Sequence, residues 1–128
     1  MSDPHNDLPR RRPVWEALSD LFLDTELNEA RLRWIARRLA ESGCSDKELH
    51  GILFHEVYPV CIQNMHDVTG VWAGFRLDWL EKAILRRAPG PLPDDIPLPA
   101  DYRMIEPEWR RVLQMLAEER RKVGETKE

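Results

Sequence analysis

Three histidines (His50, His55 and His66), two cysteines (Cys44 and Cys61) and Glu56 are the residues here whose chemistry could bind a metal or carry a reaction. A helical metal pair needs ligands at i, i+3 or i+4, so that both face one way. His50 and His55 are five apart, as are Cys61 and His66, and the members of each pair diverge. The fourth residue after His55 is Pro59, which breaks any H-E-x-x-H pattern. A Cys nucleophile needs a base held by a third group, and Cys61 with His55 or His66 does not supply that arrangement. No nucleophile elbow, phosphate loop or dinucleotide fingerprint surrounds Gly70 or Gly74. The expectation is therefore no catalytic residue, no metal, no cofactor and no enzyme.

Recognition chemistry is better represented. Asp20, Asp24, Glu26 and Glu29 form an acidic group suited to a basic partner. Trp34 has Arg31, Arg37 and Arg38 as its i−3, i+3 and i+4 neighbours, the residue types enriched at interface hot spots. Trp34 is either covered by another element or exposed and stacked with arginine, and periodicity leaves both open. Arg10, Arg11 and Arg12 read as a solubilising run. Nucleic-acid binders usually carry a basic stripe, whereas this chain of 128 residues has 19 basic and 23 acidic side chains, a net charge of −4.

Helical periodicity runs through most of the chain, with no convincing period-2 alternation. Pro13 suits a first helical turn, and Val14, Leu18, Leu21 and Phe22 then share a face, flanked by Trp15. Asn28 is a candidate N-cap for a helix with core face Leu32, Ile35, Ala36 and Leu39, and Gly43 stands at C′. Ser45-Asp46-Lys47-Glu48 fits the capping box. The third helix turns Leu49, Ile52, Leu53 and Val57 or Phe54 inward, and Pro59 either ends it or starts a short fourth turn through Ile62. Thr69 to Phe75 reads as a bent linker pinned by Trp72 and Phe75, with Trp79 pinning the next helix; Leu80, Ala83 and Ile84 are that helix's inward face. Five prolines between Pro89 and Pro99 exclude a regular helix and predict an ordered or semi-ordered polyproline strap. Glu106 is expected to cap the last helix, Pro107 to take N1, and Trp109, Val112, Leu113 and Leu116 to face the core.

These elements predict one all-α domain, a compact bundle of four to five helices with a proline-rich connection before the C-terminal helix. Its parts are a flexible head (1–11), core helices (12–88), a strap (89–106), the last helix (107–122) and a flexible tail (123–128). The polar opening MSDPHNDLPRRR lacks the apolar stretch of a secretory signal. With no apolar run long enough for a membrane span and two thiols read as buried and reduced, a cytoplasmic location is expected.

The strings Arg12-Pro13-Val14-Trp15-Glu16-Ala17-Leu18-Ser19-Asp20-Leu21-Phe22-Leu23-Asp24-Thr25-Glu26-Leu27, Glu56-Val57-Tyr58-Pro59-Val60-Cys61 and Gly70-Val71-Trp72-Ala73-Gly74-Phe75 with Trp79-Leu80 resemble a family of small uncharacterised bacterial proteins. The resemblance covers about residues 10–87 and leaves the strap and last helix as an addition or a variable part. It implies a bacterial source and a small helical domain, and it brings no catalytic residues.

The functional expectation is a protein-binding module, most concretely an immunity or inhibitor protein that occludes the active site of a bacterial toxin. Asp20, Asp24, Glu26, Glu29, Trp34 and Arg38 are the partner-binding candidates. The alternatives are a homodimer that exchanges the C-terminal helix through the strap and, behind it, a nucleic-acid accessory protein.

Overall fold

A computed structural model describes residues 8–22, 28–65, 77–87, 90, 92–93 and 95–126. It is all-α, with no strand among the described residues. Helix α1 spans Leu8–Ser19 and tightens into a 3₁₀ turn, Asp20–Phe22. Helix α2 is Glu29–Ser42. Helix α3, Asp46–Gly51, passes into a π-helical turn, Ile52–Val57, and then into α4, Tyr58–Met65. Helix α5 is Leu77–Arg87, a second 3₁₀ turn covers Ala100–Met104, and α6 is Glu106–Thr126.

The capping chemistry expected around α2 and α3 is present. Asn28 Oδ1 accepts the Arg31 N–H at 2.8 Å, and Gly43 takes the left-handed conformation (φ 73°) that ends α2 without a Cβ penalty. In the capping box, Ser45 Oγ accepts the Glu48 N–H at 3.1 Å and Glu48 Oε1 accepts the Ser45 N–H at 3.2 Å. Pro59 is the second residue of α4 but lies inside a continuous helical run, where it removes one intrahelical donor. Directly before it the Tyr58 N–H bonds to the Leu53 carbonyl, five residues back. That wider turn carries one rod from α3 through α4 past the proline, rather than ending it there.

The start of α1 differs from the sequence expectation. Pro13 is inside the helix, not at its first position, because Leu8 to Arg12 already form a helical turn. Residues 8–11 are therefore part of the fold rather than a flexible head, and Arg11 is fully buried. Residues 1–7 lie outside the described residues. At the other end, α6 continues to Thr126, beyond the expected fraying point at residue 123. Its first intrahelical acceptor is the Ile105 carbonyl, bonded to the Trp109 N–H at 2.9 Å, so the cap is one residue earlier than Glu106.

The core is a single cluster. Val14, Trp15, Ala17 and Leu18 of α1 meet Leu32, Ile35, Ala36 and Leu39 of α2, Leu49 to Val57 of the α3–π rod, Leu80 and Ile84 of α5, and Trp109, Val112, Met115 and Leu116 of α6. Trp15 belongs to its centre rather than its flank, whereas Trp79 is 39% exposed and lies outside the buried cluster. The bent linker and its Trp72 and Phe75 lie outside the described residues. The strap is seated on α3: Leu92 is buried, Ile96 is partly buried, and a Cβ on Gly51 would come within 3.0 Å of Leu92 Cδ1. His50 Nε2 lies 3.2 Å from the Ile96 carbonyl, and its ring packs on Phe54. Phe54 also meets Tyr102 edge-on, which fixes the turn leading to α6. Thus the chain between α5 and α6 folds back onto its own core, and α6 packs along α2 of the same molecule.

Candidate functional site

The three consecutive arginines do not simply solubilise the amino-terminal segment. Successive residues of a helix point about 100° apart, so Arg10, Arg11 and Arg12 reach three different elements. Arg10 pairs with Glu48 on α3 at 3.1 Å. Arg11 pairs with Glu56 in the π turn, both side chains being fully buried. Arg12 pairs with Glu81 on α5 at 2.5 Å. The Trp15 indole N–H donates to the other Glu56 oxygen at 2.8 Å, so both carboxylate oxygens are satisfied. A buried charge is tolerated only when it is paired and hydrogen-bonded in this way.

Neither Arg11 nor Glu56 stood out as a pair, yet their positions contained the signal. Arg11 precedes Val14, Trp15 and Leu18 by three, four and seven residues, and Glu56 follows Leu53, Ile52 and Leu49 by the same intervals. Each charge thus occupies a core position of its own helix, and the two signs are opposite.

The recognition candidates divide between the two flanks of α2. Asp20 is buried at the end of α1 and pairs with Arg31. Burial raises its pKa above the usual carboxylate value, with Arg31 pulling the other way. The Arg31 guanidinium lies 4.3 Å from the centre of the Trp34 ring, a cation–π contact. Trp34 itself is partly buried against the core, combining features of the covered and stacked readings. Arg38, one turn further on, faces an open cleft of about 210 Å³ lined by Pro9, Arg10, Pro13, Glu41 and Ser42. Asp20, Arg31, Trp34 and Arg38 therefore mark one seam between α1 and α2. Glu29 turns to the opposite flank, where both its oxygens lie 3.3 Å from Arg111 Nε on α6. Asp24 and Glu26 lie outside the described residues, so the four acids are not shown as one patch.

The remaining arginines of α2 are engaged within the molecule. Arg33 pairs with Glu118 at 2.8 Å and with Glu119 at 3.4 Å, and Arg37 pairs with Glu119 at 3.3 Å. Glu119 also accepts from Lys122 at 2.9 Å. Lys122 is the largest influence holding Glu119 below the ordinary carboxylate value, opposed by burial and helped by Arg37 and Arg33. The basic face of α2 is thus largely matched by α6.

Cys44 and Cys61 are both buried free thiols. Burial pushes the Cys61 pKa far upward, which keeps the nucleophilic thiolate scarce. Among the described residues no group of three or more His, Cys, Asp or Glu side chains could hold a metal ion, and no helix is long and apolar enough to cross a membrane.

Comparison with known proteins gives one match. A family model described as a domain of unknown function, DUF7079, covers residues 9–115. It extends beyond the stretch carrying the sequence resemblance, taking in the strap and the first half of α6. No curated protein and no solved structure matches the chain.

Proposed function

We propose that this chain, which belongs to the DUF7079 family, is a non-enzymatic protein-binding domain whose contact face is the α1–α2 seam. The observation carrying this reading is the Arg31–Trp34 stack beside Arg38 in a cleft. Trp supplies large contact area with little ordering cost, and a guanidinium already stacked on an indole is held before a partner arrives. Rigid helices on both sides keep the seam's shape.

The most concrete form of the proposal is a cytoplasmic immunity or inhibitor protein that covers the active-site cleft of a bacterial toxin. Its support is the small domain, the net charge of −4 and a seam that offers recognition chemistry without a reaction centre. Asp20 and Glu29 contribute by fixing Arg31 and Arg111 rather than as an open acidic cluster. Co-expression with the products of adjacent genes, followed by gel filtration, tests the proposal. A co-migrating complex that is lost in the Trp34→Ala variant, with helical circular dichroism retained, supports it. A complex indifferent to Trp34→Ala refutes the seam as its face. Light scattering of the isolated chain addresses the homodimer alternative, which predicts a dimer that becomes monomeric when residues 89–128 are removed.

A further inference from the structure

We propose that the cleft between the first turn of α1 and the last turn of α2 is a socket for an acidic side chain of a protein partner. This rests on the reading of the α1–α2 seam as a protein-binding face and specifies which chemistry that face selects.

Volume narrows the occupant first. The cleft holds about 210 Å³, below the roughly 300–1,000 Å³ of pockets that enclose whole small molecules. It has room for one side chain and a short piece of backbone.

Its lining then determines the chemistry. Pro9 and Pro13 are four apart and form one rigid wall. Neither has a backbone N–H, and Pro13 cannot donate the helical bond to the Pro9 carbonyl. The wall therefore provides no donor, and donors must come from the arginines. Ser42 is committed elsewhere: its Oγ donates to the Leu39 carbonyl at 2.5 Å and accepts the Cys44 N–H at 3.2 Å. Arg10 and Arg38, from two different helices, are the cationic groups of the cleft.

Arg38 has a carboxylate partner that an incoming acid can replace, and Arg10, engaged further within the molecule, adds a second positive charge. Arg38 lies 3.4 Å from Glu41, whose side chain is 65% exposed. Arg10 lies 3.1 Å from Glu48, with both groups partly exposed. Pairs of this kind contribute about 0–1 kcal/mol, so exchanging one carboxylate for another costs little. The fully buried Arg11–Glu56 pair next to them stays closed and keeps the helix turn that carries Arg10 in place.

A second contact lies nearby. Trp34 is one helical turn before Arg38, a rise of roughly 6 Å. Two residues of an extended chain span nearly the same distance. The matching partner segment thus has an acidic and an apolar residue two positions apart, the acid on Arg38 and Arg10 and the apolar group on the Trp34–Arg31 stack.

The test uses the ¹⁵N-labelled full chain and a synthetic peptide, acetyl-Ser-Glu-Ser-Leu-Ser-amide, against the same peptide with Gln for Glu. Saturable shifts of the Arg38 Nε–H and Trp34 indole signals are expected, with at least tenfold weaker binding of the Gln peptide and a similar loss in Arg38→Gln. Equal binding of the two peptides, no binding of either, or shifts at Arg110 as large as at Arg38 would overturn the socket. The co-expressed complex separates the two readings. If Trp34→Ala breaks it and Arg38→Gln does not, the socket is wrong and the seam stands; if neither variant matters, both are wrong.

Discussion

Removing one member of the Arg11–Glu56 pair should be the most damaging single polar change in this domain. In Glu56→Gln the amide oxygen still accepts from Trp15 Nε1, but the fully buried Arg11 side chain loses the Glu56 charge. Breaking a buried pair from one side costs about 3–5 kcal/mol, a large part of the roughly 5–15 kcal/mol that holds a domain folded. Arg11→Met takes the guanidinium from the Glu56 carboxylate while the Trp15 hydrogen bond stays, and should cost a similar amount. The double variant Arg11→Met/Glu56→Leu is the informative one. It removes both charges and leaves the Trp15 N–H without its acceptor, a loss of about 1–3 kcal/mol. The double change should therefore be less harmful than either single change, with a coupling of several kcal/mol. Urea unfolding followed by far-ultraviolet circular dichroism measures all four corners of the cycle. Single-variant losses below about 1 kcal/mol, the magnitude of an exposed pair, would show that the pair is hydrated and would refute the reasoning.

Gly51→Ala should loosen the strap, since the added methyl meets Leu92 Cδ1 at 3.0 Å and Ile96 Cδ1 at 3.2 Å. In a Leu92→Ala/Ile96→Ala background, which removes both contacts, the same change should become stabilising by about 0.5–1 kcal/mol, the ordinary helical gain over glycine; an unchanged sign in urea titrations would contradict strap contact. Asp20 has a raised pKa, so the folded state binds its proton more readily than the unfolded state between the ordinary carboxylate value and the raised one. Its contribution favours the fold at low pH and is lost as pH rises through that window. Asp20→Asn should therefore compare more favourably with the parent protein at pH 7 than at pH 3, and the reverse ordering in matched unfolding curves would refute the assignment. Glu119 has the opposite sign: its contribution is present above the ordinary value and disappears as pH falls below it, so Glu119→Gln should flatten the acid side of the stability profile. Cys61 should resist iodoacetamide in the folded protein at pH 8 and react once urea exposes it, as mass spectrometry of the tryptic peptides would show.

Local rules carried much of the architecture. Asn28, Gly43 and the Ser45–Glu48 box act within one helical turn, and each stands where spacing placed it. The inward faces of α2, α5 and α6 followed from apolar periodicity for the same reason. The start of α1 was not legible, because a proline is equally at home as a first helical residue and as an interior residue whose surrounding turn is held by tertiary contacts. What holds that turn is three glutamates far along the chain. The site divided similarly. Trp34 beside arginine was visible from i±3 and i+4 spacing, but the cleft at Arg38 requires α1 to run antiparallel against α2, and one-dimensional spacing does not encode that packing. Glu56 was read with the histidines and cysteines as a metal candidate, when its place on the Leu49–Ile52–Leu53 stripe marked it as internal.

The three-arginine clamp also bears on the order of assembly. Its pairs close over separations of 38, 45 and 69 residues, although the arginines are among the earliest residues of α1. The opening turn of α1 cannot gain these three glutamate partners until the α3–π rod and then α5 have been synthesised and packed. Chain-closure entropy must be overcome before such distant contacts contribute. Closure of these three pairs is thus a late step, and Glu81→Gln should accelerate unfolding while leaving the folding rate nearly unchanged.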